Sequence, residues 1–170
     1  IREFEDVDFT YNIVLSAACF GQLKRHRMST ITSQPYNPEL GVTIPESIKE
    51  IGFTKKFMDV VEQTNIFYDK LFREKPLIAP YILTNAHRRR VLFKVNAREV
   101  YHISRLRQDS HAQWDIRNIS TLMSKKAKEV MPFTFALLGG KDKYMDIYQA
   151  FYGDVPKVTL AVLPGVRKIK

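Results

Sequence analysis

The chain has 170 residues, of which 45% are hydrophobic and 26% charged, with a single cysteine and 7 glycines. This composition is typical of one globular domain, and it excludes an intrinsically disordered chain, a collagen and a disulfide scaffold. The 27 basic and 18 acidic residues leave a net charge of +9, which suggests an anionic partner such as a nucleic acid, a nucleotide or a phosphorylated cofactor.

The first half of the chain predicts a strand, a buried helix and a long amphipathic helix. Residues 9–14 alternate in a strand pattern, and residues 15–25 lack a helix breaker until their end. Residues 28–41 predict strand and loop with no helix, because serine, threonine, proline and asparagine dominate there. Pro45 can open a short helix, and Thr54 can cap a longer one. Helical spacing in that longer helix relates Phe57, Val60, Val61, Thr64, Phe67, Tyr68 and Leu71.

The second half predicts one more strand and three helices. Pro76 and Pro80 interrupt the chain, and residues 90–95 alternate as a strand. Residues 97–106 predict a helix, with the stripe Val100, Ile103 and Leu106. A weak helix over 144–151 and a possible last strand over 155–162 follow near the end.

A further helix begins after an interruption at Asp109 and Ser110. Ser110 and Gln113 match a capping box, and Pro132 ends the helix. Its inward stripe consists of Ile116, Ile119, Met123, Ala127 and Val130.

The sequence also suggests where the protein resides. The longest weakly polar stretch, 13–21, is far shorter than the roughly 20 residues that cross a bilayer, so we expect a soluble protein. Cys19 has no partner for a disulfide, which favours a reducing, cytoplasmic setting and a structural thiol. Because Ile1 is not a methionine and the strand approach begins at once, we expect an N-terminal segment upstream of a single domain over 1–170.

Familiar catalytic motifs are not apparent. Gly139 and Gly140 lack the lysine-serine ending and the spacing of a phosphate loop. The four histidines are too scattered to predict a metal site, since cysteines and paired carboxylates are not close to them: His26, His87, His102 and His111.

Two segments nevertheless concentrate unusual chemistry. In residues 22–27 two arginines flank a histidine, an arrangement suited to phosphate oxygens, although such a cluster alone is more often a solvated helix end. In residues 96–114, Arg98, His102 and Arg105 share one helix face. Few carboxylates lie near that face in the sequence, so it suggests a bound anion, whereas a plain amphipathic helix would give the same pattern.

At these two segments the chain resembles the flavin-dependent thymidylate synthases, over about residues 5–138. The first match is Arg25-His26-Arg27, which follows Gln22 and a strand similar to the family's Phe-Thr-Phe. The second is Asn-Ala-Arg at 96–98, then Arg107, then Ser-His-Ala-Gln-Trp-Asp-Ile at 110–116. The family has these motifs at the same intervals, with glutamate in place of the aspartate.

The resemblance implies a fold, a reaction and an assembly. The fold would be α+β, with a mixed or antiparallel sheet packed with helices. The reaction would be the methylation of dUMP to dTMP, with FAD as cofactor and methylenetetrahydrofolate and NADPH as co-substrates. The assembly would be a homotetramer whose FAD sites span subunits.

The resemblance also implies roles for individual residues. The residues that match the family's flavin contacts are Arg25, His26, Arg27, Asn96, Arg98, His102 and His111. Arg107 matches the arginine that holds and polarises the dUMP base, which implies that it is both catalytic and substrate-binding. Gln22 and Ser33 would be further substrate contacts.

The match is weaker where the family binds the dUMP phosphate. After Arg-His-Arg the family continues to Asn-Glu-x-Ser-x-Arg-Tyr, whereas residues 28–36 contain neither the glutamate nor the arginine. Without a gap, Pro35 stands at the serine and Asn37 at the arginine. A two-residue deletion aligns Ser33 and Tyr36 but places Pro35 at the arginine.

A second family arginine falls near Pro80, where the candidate substitutes are Arg88, Arg89 and Arg90. Losing one bidentate charged contact costs about 2–5 kcal/mol, or about 30-fold to several thousand-fold in affinity. The flavin half of the site is therefore closer to the family pattern than the nucleotide half.

Two other interpretations of the function remain open. The chain can be a degenerate, non-catalytic domain of the same fold, such as half of a tandem protein, that retains a flavin or supports assembly. It can also be a nucleic-acid-binding module, although aromatic residues spread along the predicted cores offer no stacking platform, which makes nucleic acid an unlikely partner.

Overall fold

A three-stranded antiparallel sheet organises the protein in a computed structural model that describes residues 2–154. The strands are β1 (Asp8–Ser16), β2 (Ser29–Ser33) and β3 (Arg88–Asn96). β3 lies between the other two and pairs with both. The predicted strands at 9–14 and 90–95 are confirmed, and the predicted strand at 155–162 lies outside the described residues.

Six α-helices accompany the sheet within residues 2–154. They are α1 (Ala17–Leu23), α2 (Glu46–Glu50), α3 (Thr54–Glu74), α4 (Ala97–Arg107), α5 (Trp114–Val130) and α6 (Tyr144–Tyr152). This arrangement confirms the expected α+β fold. Single-turn 3-10 helices occur at Arg2–Glu5, Pro38–Leu40, Ala79–Ile82 and Lys141–Lys143.

One of these short turns corrects the expectation that residues 28–41 contain no helix. The turn at Pro38–Leu40 begins with a proline, whose backbone suits the first helical position. The side chain of Asn37 accepts a hydrogen bond from the backbone N–H of Glu39 at 2.7 Å and so caps the turn.

The first helix is shorter than the predicted 15–25. Leu15 is buried and pairs with Arg89 as part of β1, so the strand continues to Ser16. The Ser16 hydroxyl then accepts a hydrogen bond from the backbone N–H of Cys19 at 3.0 Å, which caps α1. Because α1 ends at Leu23, the basic residues 24–27 lie just beyond the helix.

Two predicted helix caps are wrong. Thr54 is the first helical residue of α3, and Phe53 precedes it without a side-chain cap. At α5, Gln113 is the cap in place of Ser110, and its side-chain oxygen accepts hydrogen bonds from the N–H groups of Asp115 and Ile116. The backbone N–H of Ser110 donates instead to Asp142, so Ser110 belongs to the preceding turn.

The core lies on one face of the sheet. Val91, Phe93 and Val95 point into it, whereas Leu92 and Lys94 face the solvent, as expected for an antiparallel sheet that is covered on one side. Helix α5 contacts α1, α4 and β1 on the covered side. The predicted stripes are confirmed except at Leu106 and Val130, which lie at helix ends and are exposed.

Helix α3 buries less of its apolar surface than its spacing predicts. Within the described residues only Val61 and Tyr68 of this helix are buried. Val60 and Phe67 remain 56% and 57% exposed. The apolar residues of α3 therefore form a surface that the described part of the chain does not cover.

Cys19 should be chemically inert in the folded protein. The side chain is fully buried, and burial raises the pKa of its thiol, with the nearby Asp115 carboxylate acting in the same direction. Since the thiolate is the reactive form, we expect no reaction with a disulfide reagent in native buffer and stoichiometric reaction in denaturant. Rapid labelling of the native protein would contradict this.

His87 should make the fold sensitive to mild acid. Its Nδ1 accepts a hydrogen bond from the Thr84 backbone N–H at 3.0 Å, and its Nε2 lies 2.9 Å from Asn65 Oδ1. Burial lowers its pKa below the ordinary 6.5, so this contribution to stability is complete above pH 6.5 and is lost as the pH falls below it. Between pH 7 and 5 the melting temperature should fall more for the wild type than for His87→Gln, and parallel profiles would contradict this.

Candidate functional site

Arg107 stands at the centre of a group of half-buried and buried polar side chains between α1 and α4. Its Nε donates to His26 Nε2 at 3.0 Å, its Nη1 to Gln22 Oε1 at 3.1 Å, and its Nη2 to the Gln22 carbonyl at 3.3 Å. A guanidinium has five N–H donors, so two have no partner among the described residues. These two donors are available to a ligand.

His26 links Arg107 to a carboxylate. Because arginine only donates, the Nε2 atom that faces it must carry a lone pair, and the ring proton resides on Nδ1. Nδ1 lies 3.0 Å from Glu99 Oε1 and donates to it. Both His26 and Glu99 are buried. We call these four residues, Gln22, His26, Glu99 and Arg107, the Arg107 network.

Local structure explains how the network forms. The turn after α1 is closed by a hydrogen bond from the His26 N–H to the Leu23 carbonyl at 3.1 Å. At the start of α4, Asn96 Oδ1 accepts from the Glu99 N–H at 2.9 Å and caps the helix. Glu99 and Arg107 then lie about two turns apart on α4, and His26 is bonded to both.

The network is electrostatically suited to an anion. Burial lowers the pKa of Arg107, and the positive charge of Arg25 contributes in the same direction. Both effects act against the charged form, and an anion beside the free N–H donors would relieve them. Glu99 is the buried carboxylate of the network and reaches Arg107 only through His26.

The same place has a set of metal-ligating side chains. Donor atoms of His26, Glu99 and His102 lie within 4.8 Å of one another. Both ring nitrogens of His26 are already bonded, and the Arg107 cation is adjacent. A metal ion would have to break one of these bonds and approach a positive charge, so the geometry favours the hydrogen-bonded network.

The predicted flavin contacts on the first segment separate into two kinds. Arg25 and Arg27 are exposed, whereas His26 is buried between them and points into the network. The two segments that carry the resemblance therefore meet, through the bonds of His26 with Glu99 and Arg107.

The predicted flavin contacts on α4 also differ in their surroundings. Asn96 is the helix cap. Arg98 is exposed and paired with Glu5, which is remote in the sequence and was not expected to balance this cationic face. His102 is exposed, with its ring perpendicular to that of His26 at 5.8 Å. Arg98 and Arg107 belong to one unbroken helix and bond to Glu5 and His26, on different sides of it.

His111 lies in the turn before α5, and its side chain is 88% exposed. Its Nδ1 lies 2.8 Å from Asp109 Oδ1, and its backbone N–H donates to the same oxygen. That backbone bond is the main cause of the lowered pKa of Asp109. Among the described residues, no hydrogen bond or ring contact links His111 to the Arg107 network.

The predicted phosphate contacts are not assembled around Arg107. Ser33 is exposed at the end of β2, opposite Val91. Arg88 and Arg90 bond to Thr43 and Asn12. Arg89 stacks between the rings of Phe20 and Tyr36, at 4.5 and 4.1 Å, and donates to the Gln34 carbonyl. Arg89 therefore holds the loop after β2 in place and is not free to bind a phosphate.

A cavity of about 520 Å³ lies on the other side of His102. Tyr101, His102 and Arg105 of α4 form one wall, and residues near the start of α6, including Lys141 and Tyr144, form another.

The sequence predicted neither this cavity nor a role for Glu99. Glu99 was detectable in principle, because it is the one acidic residue of α4, a helix with four cationic or imidazole side chains.

The described residues contain no helix long and apolar enough to span a membrane.

The sequence pattern of the family described as thymidylate synthase complementing protein matches residues 2–133. The chain belongs to this family. The match includes the Arg107 network and ends before the α6 wall of the cavity.

Individual relatives carry more specific names. The chain is 33% identical over 141 residues to the flavin-dependent thymidylate synthase of Sulfolobus acidocaldarius, which covers 77% of this chain and 54% of that protein. It is 28% identical over 159 residues to the enzyme of the same name from Clostridium tetani, with 79% and 64% covered. It is 27% identical over 158 residues to a UPF0159 protein of Thermoplasma acidophilum, with 91% and 30% covered. The chain thus spans between about a third and two thirds of these relatives.

Proposed function

We propose that this protein binds FAD and uses it to methylate dUMP to dTMP, with methylenetetrahydrofolate as the carbon donor and NADPH as the reductant. The strongest support is the guanidinium of Arg107, which His26 and Gln22 hold in place while two of its N–H donors remain for a ligand. Its position in the chain matches the family arginine that binds the pyrimidine. The printed names of two relatives, which contain both flavin and thymidylate, support the same reaction.

The residues around the network fit the charge of FAD. Arg25 and Arg27 are exposed cations beside His26, suited to the diphosphate. Arg98 would have to release Glu5 before it could join them. The imidazoles of His102 and His111 offer further donors, while Asn96 and His26 contribute by shaping α4 and by orienting Arg107. Reduced FAD would supply a hydride to the pyrimidine ring.

Within this proposal Arg107 acts on the substrate. Its free N–H donors would bond to a pyrimidine carbonyl, which gains negative charge when hydride reaches the ring. Gln22 holds the guanidinium on its other side, and Ser33 would contact the phosphate from β2. A protein nucleophile is not required, which agrees with a buried Cys19 whose thiol pKa is raised by burial.

Assembly into a homotetramer is part of the proposal. The exposed apolar residues of α3 provide a surface that assembly would bury: Met58, Val60, Ile66, Phe67 and Phe72. Large exposed apolar patches commonly mark such interfaces.

A second candidate function is a flavin-binding or assembly domain without turnover. Pro35 stands where the family grips phosphate, and Arg89 is occupied by Phe20, Tyr36 and Gln34. The chain also spans only 30% of its UPF0159 relative, which leaves room for other domains in that protein.

Reoxidation of the flavin distinguishes the two. Protein loaded with FAD is reduced without oxygen and mixed with dUMP and methylenetetrahydrofolate. The enzyme should regain the absorption of oxidised flavin and form dTMP only when dUMP is present. FAD binding without a response to dUMP would support the non-catalytic flavin-binding domain. Failure to bind FAD would contradict the proposed enzyme and leave the assembly domain.

A further inference from the structure

Glu99 is a buried carboxylate that none of the proposed steps uses. Its Oε1 lies 3.0 Å from His26 Nδ1, and its side chain is 9% exposed while that of His26 is 3% exposed. Glu99 lies on the side of α4 that faces the protein interior, away from the exposed cations Arg98 and Arg105. A carboxylate in such a place requires a hydrogen-bond donor, and His26 is its partner.

This contact selects the same tautomer of His26 that the bond to Arg107 requires. A carboxylate only accepts, so it selects the form with hydrogen on Nδ1. The other nitrogen, Nε2, is then a bare acceptor, 3.0 Å from the Nε of Arg107. With the proton on Nε2 instead, two N–H donors would face each other and the bond to Arg107 would be lost.

We infer that Glu99 is a positioning residue, which fixes the tautomer of His26 and thereby aims the free N–H donors of Arg107 at an anionic ligand. The geometry of Glu99, His26 and Arg107 does not depend on the ligand. That dUMP is the ligand rests on the proposed function. The two parts are therefore tested separately.

Two substitutions at Glu99 isolate the hydrogen bond from the charge. Glu99→Gln and Glu99→Leu remove the same negative charge and have similar volumes. Glutamine keeps a side-chain oxygen that can accept from His26 Nδ1, and leucine has no acceptor. A difference between the two variants therefore reports the acceptor alone.

The first measurement is the tautomer of His26 without ligand. Nitrogen NMR of protein labelled at its four histidines distinguishes a protonated from a bare ring nitrogen, and a His26→Gln variant identifies the His26 signals. We expect hydrogen on Nδ1 in the wild type and in Glu99→Gln, and a mixture of tautomers in Glu99→Leu. Glu129→Gln, a matched change at an exposed carboxylate of α5, should leave the signals unchanged.

The second measurement is the affinity of the FAD-loaded variants for dUMP, at a temperature where circular dichroism shows each to be folded. Glu99→Leu should raise the dissociation constant about tenfold or more relative to Glu99→Gln, since a charge-assisted hydrogen bond of Arg107 is lost. A merely structural role would not separate two folded variants in this way.

Each outcome has a distinct meaning. Hydrogen on Nε2 of His26 in the wild type would overturn the inference, even if Glu99→Leu does not fold. Equal dUMP affinity in the two folded variants would also overturn it. If wild-type protein binds no dUMP while the tautomers behave as expected, the proposed substrate is wrong and the role of Glu99 in orienting Arg107 stands.

Discussion

Replacing Arg107 with lysine should raise the dissociation constant for dUMP by about 30-fold to several thousand-fold, which corresponds to about 2–5 kcal/mol. The guanidinium uses separate nitrogens to reach His26, the Gln22 side chain and the Gln22 carbonyl. A lysine ammonium has all its donors on one atom and cannot make these bonds while also presenting two donors to a ligand. Equilibrium titration of the FAD-loaded protein with dUMP measures the effect.

Arg73→Lys is the matched control. Arg73 is exposed in the last turn of α3, a helix that contributes no residue to the Arg107 network. The same chemical change there should leave dUMP affinity within about twofold, since a surface substitution has a small effect. Comparable losses in both variants would mean that overall charge, and not the Arg107 network, governs binding.

Replacing Phe93 with alanine should lower the free energy of unfolding by about 3–5 kcal/mol. Phe93 lies near the middle of β3, is 0% exposed and pairs with Tyr11 and Ile31 on the two flanking strands. Truncation removes a large apolar side chain and leaves a cavity between the sheet and the helices that cover it. Urea denaturation at neutral pH measures the change.

Leu92→Ala provides the comparison on the same strand. Leu92 is 48% exposed on the opposite face of the sheet, so its truncation leaves no cavity. We expect it to cost less than about 1 kcal/mol. If the two substitutions were equally destabilising, the core would not lie on the face that Phe93 occupies.

Local sequence patterns were sufficient for most of the secondary structure. Alternation identified β1 and β3, and helical spacing identified α3 and α4, because side-chain periodicity follows directly from backbone geometry. The helix starts were less predictable. Gln113 and not Ser110 caps α5, because Ser110 is held in the preceding turn by the distant Asp142.

The motifs located the site, but its internal arrangement depends on contacts between remote residues. Glu99 and His26 are 73 residues apart, and Arg98 and Glu5 are 93 residues apart. A helical pattern says which side of α4 each residue occupies, and it does not say which segment packs there. For this reason the sequence pattern predicted that Arg98 is an unpaired cation, and it did not predict the contact between Glu99 and His26.

A crystal structure of the protein grown with FAD and dUMP tests most directly whether residues 22–27 and 96–107 form one ligand site. We expect the pyrimidine of dUMP to accept hydrogen bonds from the two free N–H donors of Arg107, with His26 still bonded to Glu99 and the flavin beside the exposed cations. Ligands bound elsewhere, with the Arg107 network unchanged and facing only solvent, would contradict the proposed site.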